Sequence, residues 1–182
     1  MTKDNIVLSG FMASGKTTVG ALLSEITGLP FVDTDGLIEE ETGSSVREIF
    51  EKDGEARFRE LERLVIKRES ARDGAVLAVG GGAVLDPRNV SRLKNRGVVY
   101  LLKVSGEEVA SRAGTDSGRP LLESDIASIN ALLAERDAAY REAADVVVET
   151  TGRIADEVAG AIAADFESRQ GARGRELFDG RE

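Results

Sequence analysis

Short apolar runs alternate with amphipathic stretches along this chain. Five apolar runs are strand-like, at residues 6–8, 31–32, 75–79, 98–104 and 146–148. They are nearly continuous rather than alternating with polar residues, which is typical of strands buried on both faces of a parallel sheet. Strands that alternate with helices therefore predict an α/β domain whose parallel sheet is covered on both faces.

Between these runs, apolar residues recur at helical spacing. Four such stretches predict helices, at residues 17–27, 55–70, 126–144 and 154–166. Ser45 with Glu48, and Ser105 with Glu108, have the spacing of capping boxes, in which a hydroxyl and a carboxylate each accept a backbone N–H at the start of a helix.

Two segments predict less ordered chain. Residues 113–118 hold two glycines with Thr, Asp and Ser, which predicts a mobile loop. Residues 167–182 are polar and interrupted by glycine, which predicts a disordered tail beyond a single domain at residues 1–166.

The composition narrows the possible chemistry. The 182 residues include no histidine and no cysteine, so imidazole bases, thiolate nucleophiles, disulfides and zinc fingers are excluded. Catalysis must use carboxylates, Lys, Arg, hydroxyls, backbone amides or a metal bound by oxygen. The net charge of −9 argues against nucleic-acid binding, so an anionic substrate needs a local cluster of cations. No signal segment and no uninterrupted run of 18 apolar residues is present, and we expect a cytoplasmic protein without a membrane partner.

Residues 10–17, GFMASGKT, match the phosphate-binding pattern G-x-x-x-x-G-K-[ST]. The match follows a predicted strand and opens a predicted helix, which is the context that this motif requires. Backbone N–H groups and the helix N-terminus would cradle the β-phosphate of a nucleotide, Lys16 would bridge its β- and γ-phosphates, and the Thr17 hydroxyl would coordinate Mg²⁺. The predicted nucleotide-binding residues here are Ala13, Ser14, Gly15, Lys16, Thr17 and Thr18.

Two carboxylates follow the second predicted strand, at the sheet edge where open α/β sheets bind ligands. Asp33 is a candidate for the metal, and Asp35 for a base or an anchor of an acceptor hydroxyl. A solvated turn that caps the next helix would also explain them. Residues 33–36 match the D-x-x-G switch of GTPases as well, but no N-K-x-D motif for guanine follows.

Glycines and arginines supply the remaining candidates. Gly80, Gly81 and Gly82 follow the third predicted strand, where they let the backbone approach a ligand and donate N–H groups, although a tight turn alone could explain them. Several arginines offer positive charge, and for any single one a solvated helix face is the ordinary explanation.

Taken together, these motifs resemble the shikimate kinase family. The loop at residues 10–20, Asp33-Thr34-Asp35, G-E-x-x-F-R-x-x-E at 54–62, the three glycines, and R-P-L-L at 119–122 follow in that family's order and spacing. The resemblance covers about residues 5–165. Two positions depart from it: Ala13 replaces a loop glycine of many members, and R-x-P-x-Y lacks its proline at Ala138.

The resemblance implies a three-layer P-loop kinase with a five-stranded parallel sheet of order 2-3-1-4-5 and a mobile lid at about residues 113–125. It implies transfer of the ATP γ-phosphate to the 3-hydroxyl of shikimate with Mg²⁺. We expect the protein to be a monomer. The resemblance gives Asp35 the substrate hydroxyls, Arg59 and Arg136 the substrate carboxylate, and Gly80, Gly81 and Gly82 a backbone contact. The same resemblance gives Arg119 the transferring phosphoryl group, from the lid. Arg112 and Arg153 match positions that sandwich adenine.

Two alternatives stay open from the sequence. A gluconate kinase would share the loop, but the G-x-P-L-x-D-x-D-R stretch of those enzymes is absent here. A P-loop switch would hold a nucleotide without an acceptor, which the predicted arginine cluster and lid disfavour.

Overall fold

The computed structural model describes residues 4–113 and 126–179. The strands are β1 Asn5–Ser9, β2 Phe31–Asp33, β3 Val76–Ala78, β4 Gly97–Lys103 and β5 Val146–Glu149. The helices are α1 Lys16–Thr27, α2 Thr34–Thr42, α3 Val46–Glu69, α4 Pro87–Arg96, α5 Gly106–Ala113, α6 Ile126–Ala143 and α7 Ala155–Asp179, and a short 3₁₀ turn spans Ala83–Leu85.

The five strands form one parallel sheet in the order β2-β3-β1-β4-β5, as the resemblance implies. In the centre of the sheet, Val7 of β1 pairs with Leu77 of β3 on one side and Val99 of β4 on the other. The carboxyl ends of β1, β2 and β3 are therefore neighbours. This register brings the phosphate-binding loop, the two aspartates and the three glycines to one edge of the sheet.

Both faces of the sheet are buried, because successive residues of a strand point to opposite sides. Ile6 and Leu8 pack in one apolar cluster with residues of α1 and α7, whereas Val7 packs in a second cluster with residues of α3, α4, α5 and α6. Helices thus cover the sheet on both sides, which confirms the predicted three layers.

Helix α3 contains both of the predicted helical signals between residues 45 and 70. Ser45 and Glu48 form the expected capping box at its start. Gly54 interrupts the helix with φ 82° and ψ 168°, a left-handed φ that favours glycine, and the apolar stripe resumes directly after it. The sequence predicts two helices here, and the structure joins them through this kink.

Two helices differ from the prediction: α4 was not predicted, and α7 is longer than predicted. The sequence pattern does not predict α4, although Asp86 caps its N-terminus and Pro87 occupies its first turn, both of which are start signals. Helix α7 continues to Asp179, beyond Phe166, where the apolar pattern places its end. An ion pair between Asp165 and Arg169, one turn apart, spans the predicted end and favours the helical conformation there. None of the described helices is long and apolar enough to cross a membrane.

Candidate active site

The phosphate-binding loop has the conformation that its motif predicts. Gly10 and Gly15 have positive φ angles of 141° and 94°. Ala13 also has a positive φ, 56°, and no other described residue except glycine does. A side chain at Gly10 would lie 2.5 Å from the carbonyl oxygen of Leu102. The Lys16 ammonium donates to the carbonyl oxygens of Gly10 and Phe11, at 2.9 and 2.8 Å, so it lies over the loop that it would serve.

Asp33 joins this loop to α2. Its Oδ2 accepts a hydrogen bond from the Thr17 hydroxyl at 2.9 Å, while its Oδ1 accepts from the backbone N–H of Asp35 and Gly36 at 3.1 and 3.4 Å. The two interpretations of Asp33 from the sequence are therefore compatible, since one oxygen caps α2 and the other faces Thr17.

A hydroxyl and one carboxylate are a donor set that fits Mg²⁺, which usually keeps several waters and takes its remaining ligands from substrate phosphates. Within residues 4–113 and 126–179, no group of three or more acidic side chains could hold a metal by itself. Any Mg²⁺ here would therefore depend on the nucleotide for part of its coordination.

Asp35 and Glu62 converge on Gly80. A Cβ built on Gly80 would lie 2.6 Å from Asp35 Oδ1 and 2.9 Å from Glu62 Oε1, so only glycine leaves room for both carboxylates. The Gly80 N–H donates to the Thr34 hydroxyl at 3.3 Å, which holds the glycine turn against the start of α2. Burial raises the pKa of Glu62, Arg59 opposes this rise, and the nearby Asp35 adds to it.

Arg59 is held by two carboxylates of its own helix. Its Nη1 donates to both oxygens of the buried Glu62, each at 3.0 Å, and its Nε and Nη2 donate to Glu55 at 3.2 Å. Burial disfavours the charge, but Glu62 and Glu55 outweigh it and raise the pKa of Arg59. The guanidinium lies against Gly82, where a Cβ would be 2.4 Å from Nη2.

Beside Arg59, a cavity of about 380 Å³ opens at this edge of the sheet. Its lining is rich in cations and contains Glu55, Arg59, Arg63, Gly82, Leu85, Asp86, Pro87, Arg88 and Arg136. The structure thus brings Arg59 and Arg136 to one cavity, as the resemblance implies, although Ala138 replaces the proline of the usual pattern.

Tyr140 ties α6 to the glycine turn, and the sequence did not single it out as a site residue. Its hydroxyl donates to the carbonyl oxygen of Gly81. Burial raises the pKa of Tyr140, and the positive charges of Arg136 and Arg59 offset only part of this rise. The signal was present in the sequence, because Tyr140 follows Arg136 by one helical turn and so shares its face of α6.

The two predicted adenine arginines lie at the ends of neighbouring segments. Arg112 donates through Nη1 to the carbonyl oxygen of Ala13 at 3.0 Å and pairs with Glu108. Arg153 donates to the carbonyl oxygens of Glu149 and Glu157, each at 3.3 Å. Arg119 and most of the predicted lid, at residues 114–125, lie outside the described residues.

The predicted capping box at Ser105 is only half correct. The Ser105 hydroxyl accepts from the Glu108 N–H at 3.3 Å, but the Ser105 N–H donates to the Thr151 hydroxyl at 3.1 Å rather than to Glu108. The Glu108 carboxylate binds Arg112 and the Gly152 N–H instead, because a cation and a donor from a neighbouring loop are within reach.

Comparison with known proteins now identifies the family. The family model described as shikimate kinase matches residues 12–167, which is most of the chain. The chain belongs to the shikimate kinase family. As a member of this family it is an ATP-dependent kinase, which excludes the alternative of a P-loop switch.

Individual shikimate kinases are similar over nearly the whole chain. The enzyme of Halorhodospira halophila is 49% identical over 160 residues, which cover 87% of this chain and 90% of the relative. The enzyme of Thiobacillus denitrificans is 45% identical, with 81% of this chain and 82% of the relative covered.

Solved structures agree with the sequence relatives. A shikimate kinase from Acinetobacter baumannii in complex with shikimate has a TM-score of 0.87 and 40% identity, covering 93% of this chain and 96% of its own. A gluconokinase from Sinorhizobium meliloti has a TM-score of 0.57 at 13% identity, which shows a shared fold alone.

Proposed function

We propose that this shikimate kinase transfers the γ-phosphate of ATP to the 3-hydroxyl of shikimate, giving shikimate 3-phosphate. The observation that carries this proposal is the convergence of Asp35, Arg59 and the glycine turn beside the phosphate-binding loop. The acceptor has one carboxylate and several hydroxyls. These residues offer a matching cation, Arg59 against Gly82, and a hydroxyl acceptor, Asp35 against Gly80, at the two ends of the same glycine turn. The bound shikimate in the similar Acinetobacter baumannii structure supports the same acceptor.

On the acceptor side, Arg59 and Arg136 bind the carboxylate. A planar guanidinium forms two parallel hydrogen bonds to a carboxylate, which fixes the orientation of the ring as well as its position. Asp35 accepts a hydrogen bond from the 3-hydroxyl and receives its proton as the new O–P bond forms, while the bond between the γ-phosphorus and the β,γ-bridging oxygen breaks and ADP leaves. Backbone groups of Gly80, Gly81 and Gly82 contact the ring, since three residues without side chains let the backbone approach a ligand closely.

On the donor side, the loop amides from Ala13 to Thr18 and the Lys16 ammonium neutralise the phosphates of ATP. Phosphoryl transfer needs little covalent assistance from a protein, so positioning and electrostatic stabilisation provide most of the catalysis. The Thr17 hydroxyl and Asp33 Oδ2 would hold Mg²⁺, which would supply positive charge to neutralise the phosphates of ATP.

Three further arginines complete the proposal. Arg119 stabilises charge on the transferring phosphoryl group from the lid. Arg112 and Arg153 bind the adenine ring, and the contact of Arg112 with the loop residue Ala13 supports that assignment. We expect the enzyme to act as a cytoplasmic monomer on small molecules, with neither nucleic acid nor membrane as a partner, and the acidic net charge of −9 supports the absence of nucleic acid.

A coupled assay of ADP formation tests the proposal. The purified protein should form ADP only when shikimate is added, and a panel of hydroxy acids including gluconate should not replace it. Arg59→Ala should raise the KM for shikimate by about a hundredfold and leave ADP affinity unchanged. Arg57→Ala is the matched control, because Arg57 lies on the same helix and pairs only with the exposed Glu60 among the contacts of the described chain. Absence of shikimate-dependent ADP formation would refute the proposal.

A further inference from the structure

Glu108 connects two segments that flank the phosphate-binding loop. It lies in the first turn of α5, and its carboxylate is partly buried, with 23% of the side chain exposed. One oxygen binds Arg112, one turn later on the same helix, and the other accepts from the Gly152 N–H at 3.0 Å. One carboxylate therefore holds both a guanidinium and a loop that is 44 residues away in sequence.

Arg112 carries this connection to the phosphate-binding loop. Its Nη2 binds Glu108, and its Nη1 donates to the Ala13 carbonyl oxygen at 3.0 Å. A long arginine side chain loses rotamer entropy when it is ordered. Because Nη1 and Nη2 of Arg112 each have a partner, the guanidinium is oriented before a ligand binds, and less entropy is lost on binding.

The loop after β5 is fixed on the same framework. Thr150 donates through its backbone N–H and its hydroxyl to the Lys103 carbonyl oxygen, both at 2.9 Å, and Thr151 accepts from Ser105 at 3.1 Å. Gly152 has φ 71°, a left-handed conformation that turns its N–H toward Glu108. The next residue is Arg153, so the position of that arginine depends on the same contacts.

We propose that Glu108 is a positioning residue for the purine base of ATP. It sets the orientation of Arg112 and the position of the Gly152-Arg153 segment, and in this way determines how tightly the base is held between them. This inference rests on the proposed function, because that function assigns Arg112 and Arg153 to the adenine ring. Glu108 reaches the phosphate-binding loop only through Arg112 and its hydrogen bond to the Ala13 carbonyl oxygen among the described contacts, and it does not line the acceptor cavity. We therefore expect its main effect at the base.

The variant Glu108→Gln isolates the proposed role. A glutamine oxygen can still accept from the Gly152 N–H, but the uncharged amide can no longer form an ion pair with Arg112. Glu107→Gln is the matched control, since it removes the same charge one residue earlier, from an exposed side chain. Both variants should keep the thermal midpoint of the wild type within about 2 °C.

Binding and kinetics are then compared between the variants. Glu108→Gln should weaken ADP binding by calorimetry and raise the KM for ATP, each about fivefold, as expected for loss of a partly exposed ion pair that orients a ligand contact. The KM for shikimate and the inhibition constant of inorganic tripolyphosphate, which has no base, should not change. Glu107→Gln should leave all four quantities unchanged.

The outcomes separate this inference from the function on which it rests. If Glu108→Gln leaves ADP affinity unchanged while Arg112→Ala weakens it, the role of Glu108 is refuted and that of Arg112 stands. If Glu108→Gln weakens tripolyphosphate as much as ADP, Glu108 acts through the phosphate-binding loop and the base-positioning role is wrong. If Arg112→Ala itself leaves ADP affinity unchanged, the adenine assignment fails, and the inference fails with it, whether or not shikimate is phosphorylated.

Discussion

Gly82→Ala should damage acceptor binding far more than it damages the fold. The backbone of Gly82, with φ −103° and ψ −2°, is one that alanine adopts without strain. The added methyl group would lie 2.4 Å from Nη2 and 2.6 Å from Nη1 of Arg59. A normal contact is about 3.5 Å, so the guanidinium must move by at least about 1 Å. The three atoms nearest to the added methyl group all belong to the Arg59 guanidinium, so the end of the Arg59 side chain is the part that moves.

Displacement of the Arg59 guanidinium should reduce kcat/KM more than it reduces the free energy of unfolding. A misplacement of about 1 Å in a substrate-orienting group costs about a hundredfold in kcat/KM, or about 2.7 kcal/mol of transition-state binding. Gly82 is buried, but the Arg59 side chain that must move is 24% exposed and can shift toward solvent. Overpacking should therefore lower the free energy of unfolding by only about 1 kcal/mol, which lowers the thermal midpoint by about 2–4 °C. ADP affinity should stay at the wild-type value, because Arg59 does not contact the phosphate-binding loop in the contacts described.

The assay compares kcat/KM for shikimate, ADP affinity and thermal unfolding. Gly160→Ala is the control substitution, since nothing lies within 4 Å of the added Cβ on α7. That control should raise stability by about 0.5–1 kcal/mol and leave kcat/KM unchanged. A kcat/KM for Gly82→Ala within threefold of the wild type would show that the position of Arg59 does not depend on this glycine.

Three other substitutions test separate parts of the site. Asp33→Asn should raise the Mg²⁺ concentration for half-maximal activity about tenfold with little loss of stability, because asparagine still caps α2; an unchanged Mg²⁺ titration would contradict the metal role. Tyr140→Phe removes the donor to Gly81 and should raise the KM for shikimate about threefold while the KM for ATP stays constant, as steady-state kinetics can measure. Glu62→Gln tests the pH dependence of stability. Burial raises the pKa of Glu62 above its usual 4.5, so the native carboxyl holds its proton more tightly than the unfolded one. Its stabilising contribution is complete below pH 4.5 and is lost as the pH rises through the native pKa. The excess stability of the wild type over Glu62→Gln in urea unfolding should therefore shrink as the pH rises from 4.5, and a constant difference would contradict this assignment of the shift.

The parts of the fold that depend on local pattern could be predicted from the sequence. The five strands follow from apolar runs, and the phosphate-binding loop follows from spacing between residues 10 and 17. Helix α4 was missed because it is short and only Val90 and Leu93 mark its apolar side, although Asp86 and Pro87 carried a start signal.

Contacts between distant segments could not be predicted in the same way. The spacing of Ser105 and Glu108 indicates a capping box, yet the carboxylate is drawn to Arg112 and to Gly152, whose proximity depends on how β5 and α7 pack. The burial of Glu62 between Arg59 and Gly80 is likewise a product of tertiary packing. A one-dimensional pattern places these residues on elements but does not give the distances between elements.

The register of the central strand also affects how the protein is made. Val7 of β1 pairs with Leu77 and Val99, residues that are 70 and 92 positions later in the chain. At about 5–20 residues per second, β1 waits roughly 5–18 s after its synthesis before its last sheet neighbour is translated. For about the first 4–14 s of that time, until Leu77 of β3 is translated, its apolar residues have no strand of the sheet to pair with. A nascent chain that ends before β3 therefore carries an apolar strand without its sheet neighbours, and such exposed apolar segments favour aggregation.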